Sequence, residues 1–116
     1  MKLIIPGRCV PSVRMTQRSK HVNPRAQAYL AYKDEVAYRA KRICAEPISG
    51  HVEMSADIYL KSLSGRRGDG SNYLKGLEDA LNNVAYIDDK QIIHGSFRLI
   101  QGEPERVEIE IRRMDD

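Results

Sequence analysis

Hydrophobic and polar residues alternate in two segments of the chain. In "HVEMSADIYL" an apolar side chain occupies every second position from Val52 to Leu60, and most positions between them are polar. The segment "RVEIEIRR" repeats this pattern with Val107, Ile109 and Ile111. Because successive side chains of a strand point to opposite faces of a sheet, each segment predicts a strand with one buried face.

Two other segments carry apolar residues at helical spacing. The first follows Asn23, a preferred N-cap residue, and Pro24, which suits the first helical position. It should end before Pro47 and Gly50. The second segment is "SNYLKGLEDALNNV". The predicted core positions are Ala26, Tyr29, Leu30, Val36, Ala37, Ala40 and Ile43 in the first helix, and Leu74, Leu77, Leu81 and Val84 in the second.

The order of these elements predicts the fold class. "KLII" near the start and "QIIHGSFRLIQ" near the end are further strand candidates, and residues 6–22 form a long polar loop. The resulting order is β–α–β–α–β–β, with the last two strands forming a terminal hairpin. We therefore expect a single small α+β domain spanning residues 1–116, in which two helices pack on one mixed β-sheet.

Composition narrows the function classes. The chain has 116 residues, of which 41% are hydrophobic and 30% charged, as in soluble globular domains. No apolar run approaches the ~20 residues of a membrane span, and Pro6 and Arg8 interrupt the only apolar stretch near the start. We expect a cytoplasmic protein without a membrane partner. Cys9 and Cys44 lack metal-type spacing, which argues for free thiols and against a zinc site.

The positive charge of the chain is small but clustered. The net charge is +3, and basic residues gather in two clusters that accompany a carboxylate-rich segment. Basic rims around an acidic centre suit a polyanion whose phosphate is handled by a metal. Ordinary solvated charge is the alternative. The basic residues are Arg14, Arg18, Lys20 and Arg25 in the first cluster, and Arg66 and Arg67 in the second.

Five carboxylates surround the second predicted helix. They are Asp69, Glu78, Asp79, Asp88 and Asp89. Like charges about 4 Å apart repel by several kcal/mol at an effective dielectric near 20. Either these groups are splayed into water or a cation holds some of them together. Taken singly, Asp69 could cap the helix, Glu78 could pair on its surface, and the last two could stabilise a turn.

Magnesium offers a joint explanation for these acids. It prefers oxygen ligands and takes one or two carboxylates, and it can polarise a phosphoryl oxygen and activate water. On a helical wheel, Ser71, Lys75, Glu78 and Asn82 form a stripe that borders the buried face. Lys75 could therefore stabilise negative charge on a phosphate. This combination indicates metal-assisted phosphodiester hydrolysis.

The segment "RRGDGSNYLKGLEDALNNVAYIDDKQI" resembles the signature of RusA-like crossover-junction endodeoxyribonucleases, the small Holliday junction resolvases of phages and prophages. Their pattern is Asp-x-Asp-Asn-x-x-Lys, then Asp-Ala-Leu, then Asp-Asp-x-Gln with an aliphatic residue. A weaker resemblance covers nearly the whole chain, including "QAY" in the first helix. The matching residues here are Asp69, Asn72, Lys75, Asp79-Ala80-Leu81, Asp88-Asp89 and Gln91-Ile92.

The resemblance implies a dimeric, Mg²⁺-dependent nuclease that acts in DNA recombination and repair. It would bind four-way DNA junctions as a homodimer and make paired symmetric nicks. Asp69 and Asp89 match catalytic, metal-binding acids, Lys75 matches a catalytically important lysine, and Asp88 is a plausible further ligand. The basic residues Arg66, Arg67, Arg14, Arg18 and Lys20 would contact DNA phosphates.

Ser71 departs from the family pattern, which has a second aspartate at this position. Serine cannot supply a carboxylate's charge to magnesium. In one interpretation Glu78, on the same stripe, compensates as a metal ligand and catalytic acid. In the other, the protein is catalytically impaired and only binds junction DNA. A third interpretation, independent of the resemblance, is a small protein-interaction domain whose acids are solvated.

Overall fold

The computed structural model describes residues 1–14, 16, 23–64 and 69–114. It contains two α-helices, four β-strands and one short 3₁₀ turn. The α+β fold predicted from the sequence, with two helices and a mixed sheet, is confirmed. In chain order the elements are β1 (Lys2–Pro6), α1 (Pro24–Ile43), β2 (Val52–Leu60), α2 (Gly70–Leu81), the 3₁₀ turn (Asp89–Gln91), β3 (Ile92–Gln101) and β4 (Arg106–Arg113).

The sheet has the strand order β1-β4-β2-β3. Strand β4 is antiparallel to both of its neighbours, β1 and β2, whereas β2 and β3 are parallel. Consequently β1, β2 and β3 all run in one direction. Both α1 and α2 connect strands of the same direction, as the helix of a crossover connection does.

The predicted terminal hairpin between β3 and β4 is wrong, because β2 lies between these two strands. The connection after β3 crosses the end of β2, where the Gly102 amide donates to the Leu60 carbonyl at 2.9 Å. The Glu105 carboxylate accepts from the Lys61 amide at 3.0 Å, and its carbonyl accepts from the Gly7 amide at 2.9 Å. A short connection therefore spans one strand, and β4 is inserted between β1 and β2.

Strand β2 provides the centre of the core. Its alternating positions Val52, Met54, Ala56, Ile58 and Leu60 are all buried, as predicted. They share one cluster with the three apolar residues of β4 and with side chains of both helices. Because apolar burial contributes about 25 cal/mol per Å², this central strand anchors the layer of helices to the sheet.

The first helix begins as predicted and buries a narrower face than predicted. The Asn23 side chain accepts from the Arg25 amide at 2.9 Å and so caps the helix. Of the seven predicted core positions, four are buried, Leu30 and Ala37 are partly buried, and Ile43 is 53% exposed. Ile43 was therefore predicted wrongly. It occupies the last position of α1.

The other face of the sheet is covered by paired charges. Arg98 of β3 forms two hydrogen bonds of 2.9 Å to the Asp57 carboxylate of β2. Arg112 of β4 donates to Glu53 of β2 at 2.7 Å. This arrangement is typical of a sheet with one face on the core and the other in water. Among the described residues, no helix is both long enough and apolar enough to cross a membrane.

The two cysteines differ in accessibility, which yields a labelling prediction. Cys9 is 2% exposed, and burial raises the pKa of its thiol to about 12, an effect that the Tyr32 hydroxyl partly opposes. Cys44 is only partly buried. Since the thiolate is the reactive form, iodoacetamide should label Cys44 of the folded protein at pH 8 and leave Cys9 unmodified, as read by peptide mass spectrometry. Equal labelling of both would contradict this packing of residues near β1.

Candidate functional site

Asp69 caps the start of α2. Its Oδ1 accepts from the Ser71 amide at 3.3 Å, and its carbonyl accepts from the amides of Asn72 and Tyr73. The next residue, Gly70, lies against the ring of Phe97 in β3, so closely that an added Cβ would overlap the ring. The helix therefore starts in contact with β3, and the capping role considered for Asp69 is confirmed.

The end of α2 is fixed by the residues that follow it. The helix ends at Leu81, three residues earlier than the apolar pattern suggested. Asn83 adopts a left-handed conformation with φ 66°, which asparagine tolerates better than most residues. The buried Tyr86 then donates its hydroxyl proton to the backbone carbonyl of Glu78 at 2.6 Å. This bond folds the chain back along the last turn of the helix.

A second set of hydrogen bonds holds the acidic turn that leads into β3. Gln91 Oε1 accepts from the amides of Ile87 and Asp88 at 2.7 and 3.0 Å. Its Nε2 donates to the carbonyls of Ile48 and Gly50 at 2.8 and 2.7 Å. One side chain thus joins the turn to the segment before β2. The carboxylate of Asp88 accepts from the amide of the residue two positions later, as expected for a turn aspartate.

The turn brings the acids at the end of α2 close to Asp89. Burial, followed by the charges of Asp89 and Asp79, raises the pKa of the half-buried Glu78 carboxyl. The exposed Asp89 carboxyl donates a hydrogen bond to Asp88, and this bond, some loss of solvation and the charges of Asp88 and Asp79 raise the pKa of Asp89. The charges of Asp79 and Asp89 are therefore near enough to disfavour ionisation of Glu78, and the charge of Asp79 disfavours ionisation of Asp89. Glu78, Asp79 and Asp89 are referred to below as the acid cluster.

The Glu78 carboxylate lies over the backbone of β3. A Cβ added to Gly95 would stand 3.3 Å from Glu78 Oε2. Glycine at this position therefore leaves room for the carboxylate at the surface of the sheet. Glu78 and Asn82 are the partly buried members of the predicted helix stripe, whereas Ser71 and Lys75 are exposed.

Asp79 belongs to the acid cluster but was not selected as a site residue from the sequence. Its Oδ2 accepts from the Tyr29 hydroxyl of α1 at 3.3 Å. Burial and the Asp79 charge raise the pKa of Tyr29 to about 12, so the phenol stays protonated and remains a donor. The sequence does contain a signal for this residue, because Asp79-Ala80-Leu81 matches the Asp-Ala-Leu part of the RusA pattern. The resemblance assigns no role to that aspartate.

The remaining predicted site residues are distributed differently. Lys75 forms no ion pair with a carboxylate of the described segments. Arg14 is exposed on the loop before α1. The other residues predicted to contact DNA lie outside the described residues, and their role stays a prediction. These are Arg18, Lys20, Arg66 and Arg67.

The chemistry of the acid cluster suits a hard divalent cation. Magnesium takes one or two carboxylates and keeps several waters, and the mutual repulsion of Glu78 and Asp89 is what such a cation would relieve. Within the described part of the chain, no three His, Cys, Asp or Glu side chains are grouped closely enough to form a complete metal site. A shared ion between Asp69 and Asp89 therefore stays a prediction.

Comparison with known proteins identifies the family of this fold and cluster. Residues 6–112 match the family described as Endodeoxyribonuclease RusA. The chain belongs to this family.

Similarity to an individual curated protein is more limited. A segment of 46 residues is 41% identical to the uncharacterized protein YqaN of Bacillus subtilis (strain 168). The match covers 40% of the present chain and 32% of that protein's length. The whole-chain relationship therefore depends on the RusA family match.

Gln91, which is part of the quoted RusA pattern, provides a stability prediction. Each hydrogen bond contributes about 1 kcal/mol net, and an orphaned buried group costs more. Replacing Gln91 by leucine should therefore lower the free energy of unfolding by about 2–4 kcal/mol in urea denaturation. Gln101→Leu, at an exposed position at the end of β3, is the control and should change stability by less than about 0.5 kcal/mol. Equal effects would mean that the Gln91 amide does not hold the turn.

Proposed function

We propose that this member of the RusA family is a magnesium-dependent endodeoxyribonuclease that resolves four-way DNA junctions by paired, symmetric nicks. The observation that carries the proposal is the acid cluster, which is held beside β3 by the Tyr86 hydroxyl and the Gln91 amide. The family match supports the nuclease class. Junction selectivity, magnesium and the homodimer are parts of the proposal.

Glu78 and Asp89 are the residues of the described chain best placed to hold magnesium, with Asp79 beside them. Asp88 accepts a hydrogen bond from the Asp89 carboxyl and another from the Lys90 amide, so it orients its neighbour. When bound, magnesium would supply a Lewis acid for the scissile phosphate and lower the pKa of an attacking water. The turn places Asp89 near Glu78, where a bound cation would favour the ionised form of both carboxyls.

Lys75 would stabilise negative charge on the reacting phosphate. It is exposed and lies on α2, one turn before the acid cluster. A lysine ammonium is a mobile point charge with three hydrogen-bond donors. It is therefore better suited to contacting a phosphate than to forming a fixed ion pair with a carboxylate. Arg14 and the basic residues outside the described segments would neutralise the DNA backbone, so junction binding should weaken with salt.

Glu78 replaces, in this proposal, the carboxylate that the family has where this chain has Ser71. Ser71 is exposed at the start of α2, whereas Glu78 is half-buried and repelled by Asp89. A buried carboxylate without a cation is unfavourable. This burial favours a ligand role for Glu78 over an incidental surface position.

The compensation can be tested by exchanging carboxylates. Glu78→Gln should reduce nicking of a labelled four-way junction in Mg²⁺ by about a hundredfold or more, as expected for loss of a carboxylate ligand of the catalytic metal. The double variant Ser71→Asp/Glu78→Gln should recover part of the rate. Undiminished cutting by Glu78→Gln would exclude Glu78 as a ligand.

The same series tests the alternative function, a junction-binding protein without cleavage activity, which Ser71 itself favours. That alternative requires a wild-type protein that binds junctions in a salt-sensitive manner but does not nick them in Mg²⁺ or Mn²⁺. Gain of nicking by Ser71→Asp alone would support it. Circular dichroism of every variant controls for folding.

The homodimer has a geometric role in the proposed site. Asp69 lies before the first residue of α2, and the helix spans 12 residues, or about 18 Å. The acid cluster lies near the other end of that helix. A two-fold dimer, whose contacts are reciprocal, could bring Asp69 of one protomer to the acid cluster of the second.

Mixing two inactive variants tests this arrangement. The variants Asp69→Asn and Asp89→Asn should each bind the junction, because the DNA contacts remain and a negative charge near the phosphates is lost. Neither should cut it, because each lacks a proposed metal ligand. If sites are shared between protomers, a mixed dimer contains one intact site and one doubly altered site. The mixture should then nick one strand of the junction without resolving it.

If both acids act within one protomer, each site of the mixed dimer lacks one acid, and the mixture stays inactive. That result would refute the shared site while leaving the nuclease proposal intact. Mixing should follow denaturation and refolding so that subunits exchange, and mass spectrometry of intact dimers should verify the exchange.

A further inference from the structure

A groove lies at the edge of the sheet opposite the acid cluster. It has a volume of about 420 Å³ and runs between β1 and the last turns of α1. Since β1 and β3 are the two outer strands of the four-stranded sheet, the groove is separated from β3 by three strand spacings, or about 14 Å. Its lining residues are Lys2, Leu3, Ile4, Tyr38, Arg39, Arg42 and Ile43.

The backbone of β1 presents unpaired groups along this edge. Met1 exchanges hydrogen bonds with Ile111, and the Gly7 amide donates to the Glu105 carbonyl. Bonded residues alternate in an antiparallel pair, so odd-numbered positions of β1 face β4. The amide and carbonyl groups of Lys2 and Ile4 therefore point away from the sheet.

Three large apolar side chains remain exposed along the groove. Ile4 is 58% exposed, Tyr38 is 60% exposed and Ile43 is 53% exposed. A lysine and a proline on a short edge strand are common protection against unwanted strand pairing, and Lys2 and Pro6 fit that role. Protection of an edge strand against unwanted pairing does not require exposed apolar side chains beside it. These three side chains therefore indicate a surface that a binding partner covers.

The charge of the groove restricts what can cover it. Lys2 and Arg42 have no carboxylate partner among the described residues, and Arg39 is paired with Glu35 at 3.4 Å. A second copy of the chain pairing through the same edge would bring these cations against their equivalents. Such like-charge contact is unfavourable. The complementary occupant is acidic, extended and partly apolar.

We propose that the groove between β1 and α1 binds an extended acidic segment of a partner protein, which adds a strand to the free edge of β1. In strand addition the main-chain hydrogen bonds supply affinity and alternate side chains supply specificity. Acidic residues of the segment would meet Lys2 and Arg42, and apolar ones would cover Ile4, Tyr38 and Ile43. This binding is independent of the proposed nuclease site.

Fluorescence anisotropy with a short labelled peptide that repeats Asp-Asp-Leu-Leu, so that each face of the extended chain carries both residue types, tests the proposal. The protein should carry no N-terminal tag, because an extension there would lengthen β1. Saturable binding is expected for this peptide. The same peptide with lysine in place of aspartate, and one with proline at alternate positions, should bind about tenfold more weakly or worse.

Two pairs of variants locate the binding. Arg42→Glu should weaken it about tenfold or more, whereas Lys41→Glu, in the same helical turn but outside the groove lining, should change it by less than about threefold. Ile4→Pro removes an outward amide without breaking the β1–β4 ladder, and should weaken binding about tenfold, whereas Ile4→Val should not. Thermal melting of each variant controls for folding.

Two outcomes would overturn the proposal. One is the absence of saturable peptide binding, or unchanged binding in both Arg42→Glu and Ile4→Pro. The other is that a labelled single-stranded oligonucleotide binds the protein, that this binding is lost in the same variants, and that the acidic peptide does not bind. The second result would make the groove a nucleic-acid surface. Asp89→Asn should bind the peptide like the wild type.

Discussion

The side-chain amide of Gln91 is the interaction on which the candidate site depends. It satisfies two amides of the acidic turn with its oxygen and two carbonyls before β2 with its nitrogen. Only an amide side chain offers two N–H donors and a two-acceptor oxygen in this way, and asparagine would be one methylene shorter. Because the turn is tied to the start of β2 in this way, Asp89 is held beside the end of α2, and the acid cluster exists as a defined place on the molecule.

The fold also holds an acidic side chain where its charged form is disfavoured. Burial and the neighbouring acids act together to raise the pKa of Glu78, and Gly95 leaves the space in β3 that its carboxylate occupies. Tyr29 donates to Asp79, but Glu78 receives no comparable donor from the described residues. A half-buried carboxylate with acidic neighbours and no neutralising partner is typical of a functional site, and this is why the acids are better explained together than one at a time.

The sequence predicted the elements more completely than their arrangement. Alternation in β2 and β4 identified both buried faces, because each side chain's burial depends only on which face it occupies. The same pattern contains no information on which strands are neighbours, so the insertion of β4 between β1 and β2 was missed. The exposure of Ile43 was missed for a related reason. A helical wheel shows which residues share a face, but it does not show which of them lie at a helix end that is left uncovered. Asp79 was overlooked because its partner, Tyr29, lies on another helix.

The two outer strands of the sheet differ in the charges that lie beside them. Strand β3 carries the contacts of α2, and the acid cluster lies where that helix ends. Strand β1 has an open backbone edge beside cations and exposed apolar side chains. Strand β4 and the central β2 separate them, and their ion-paired outer face provides no apolar path between the two edges. A small domain can therefore act on one ligand at β3 while β1 holds another, because the rigid centre of the sheet keeps the two apart. Under this arrangement a partner bound at β1 would localise the protein without altering the acids, so effects of the partner should concern where cleavage occurs and leave the intrinsic rate unchanged.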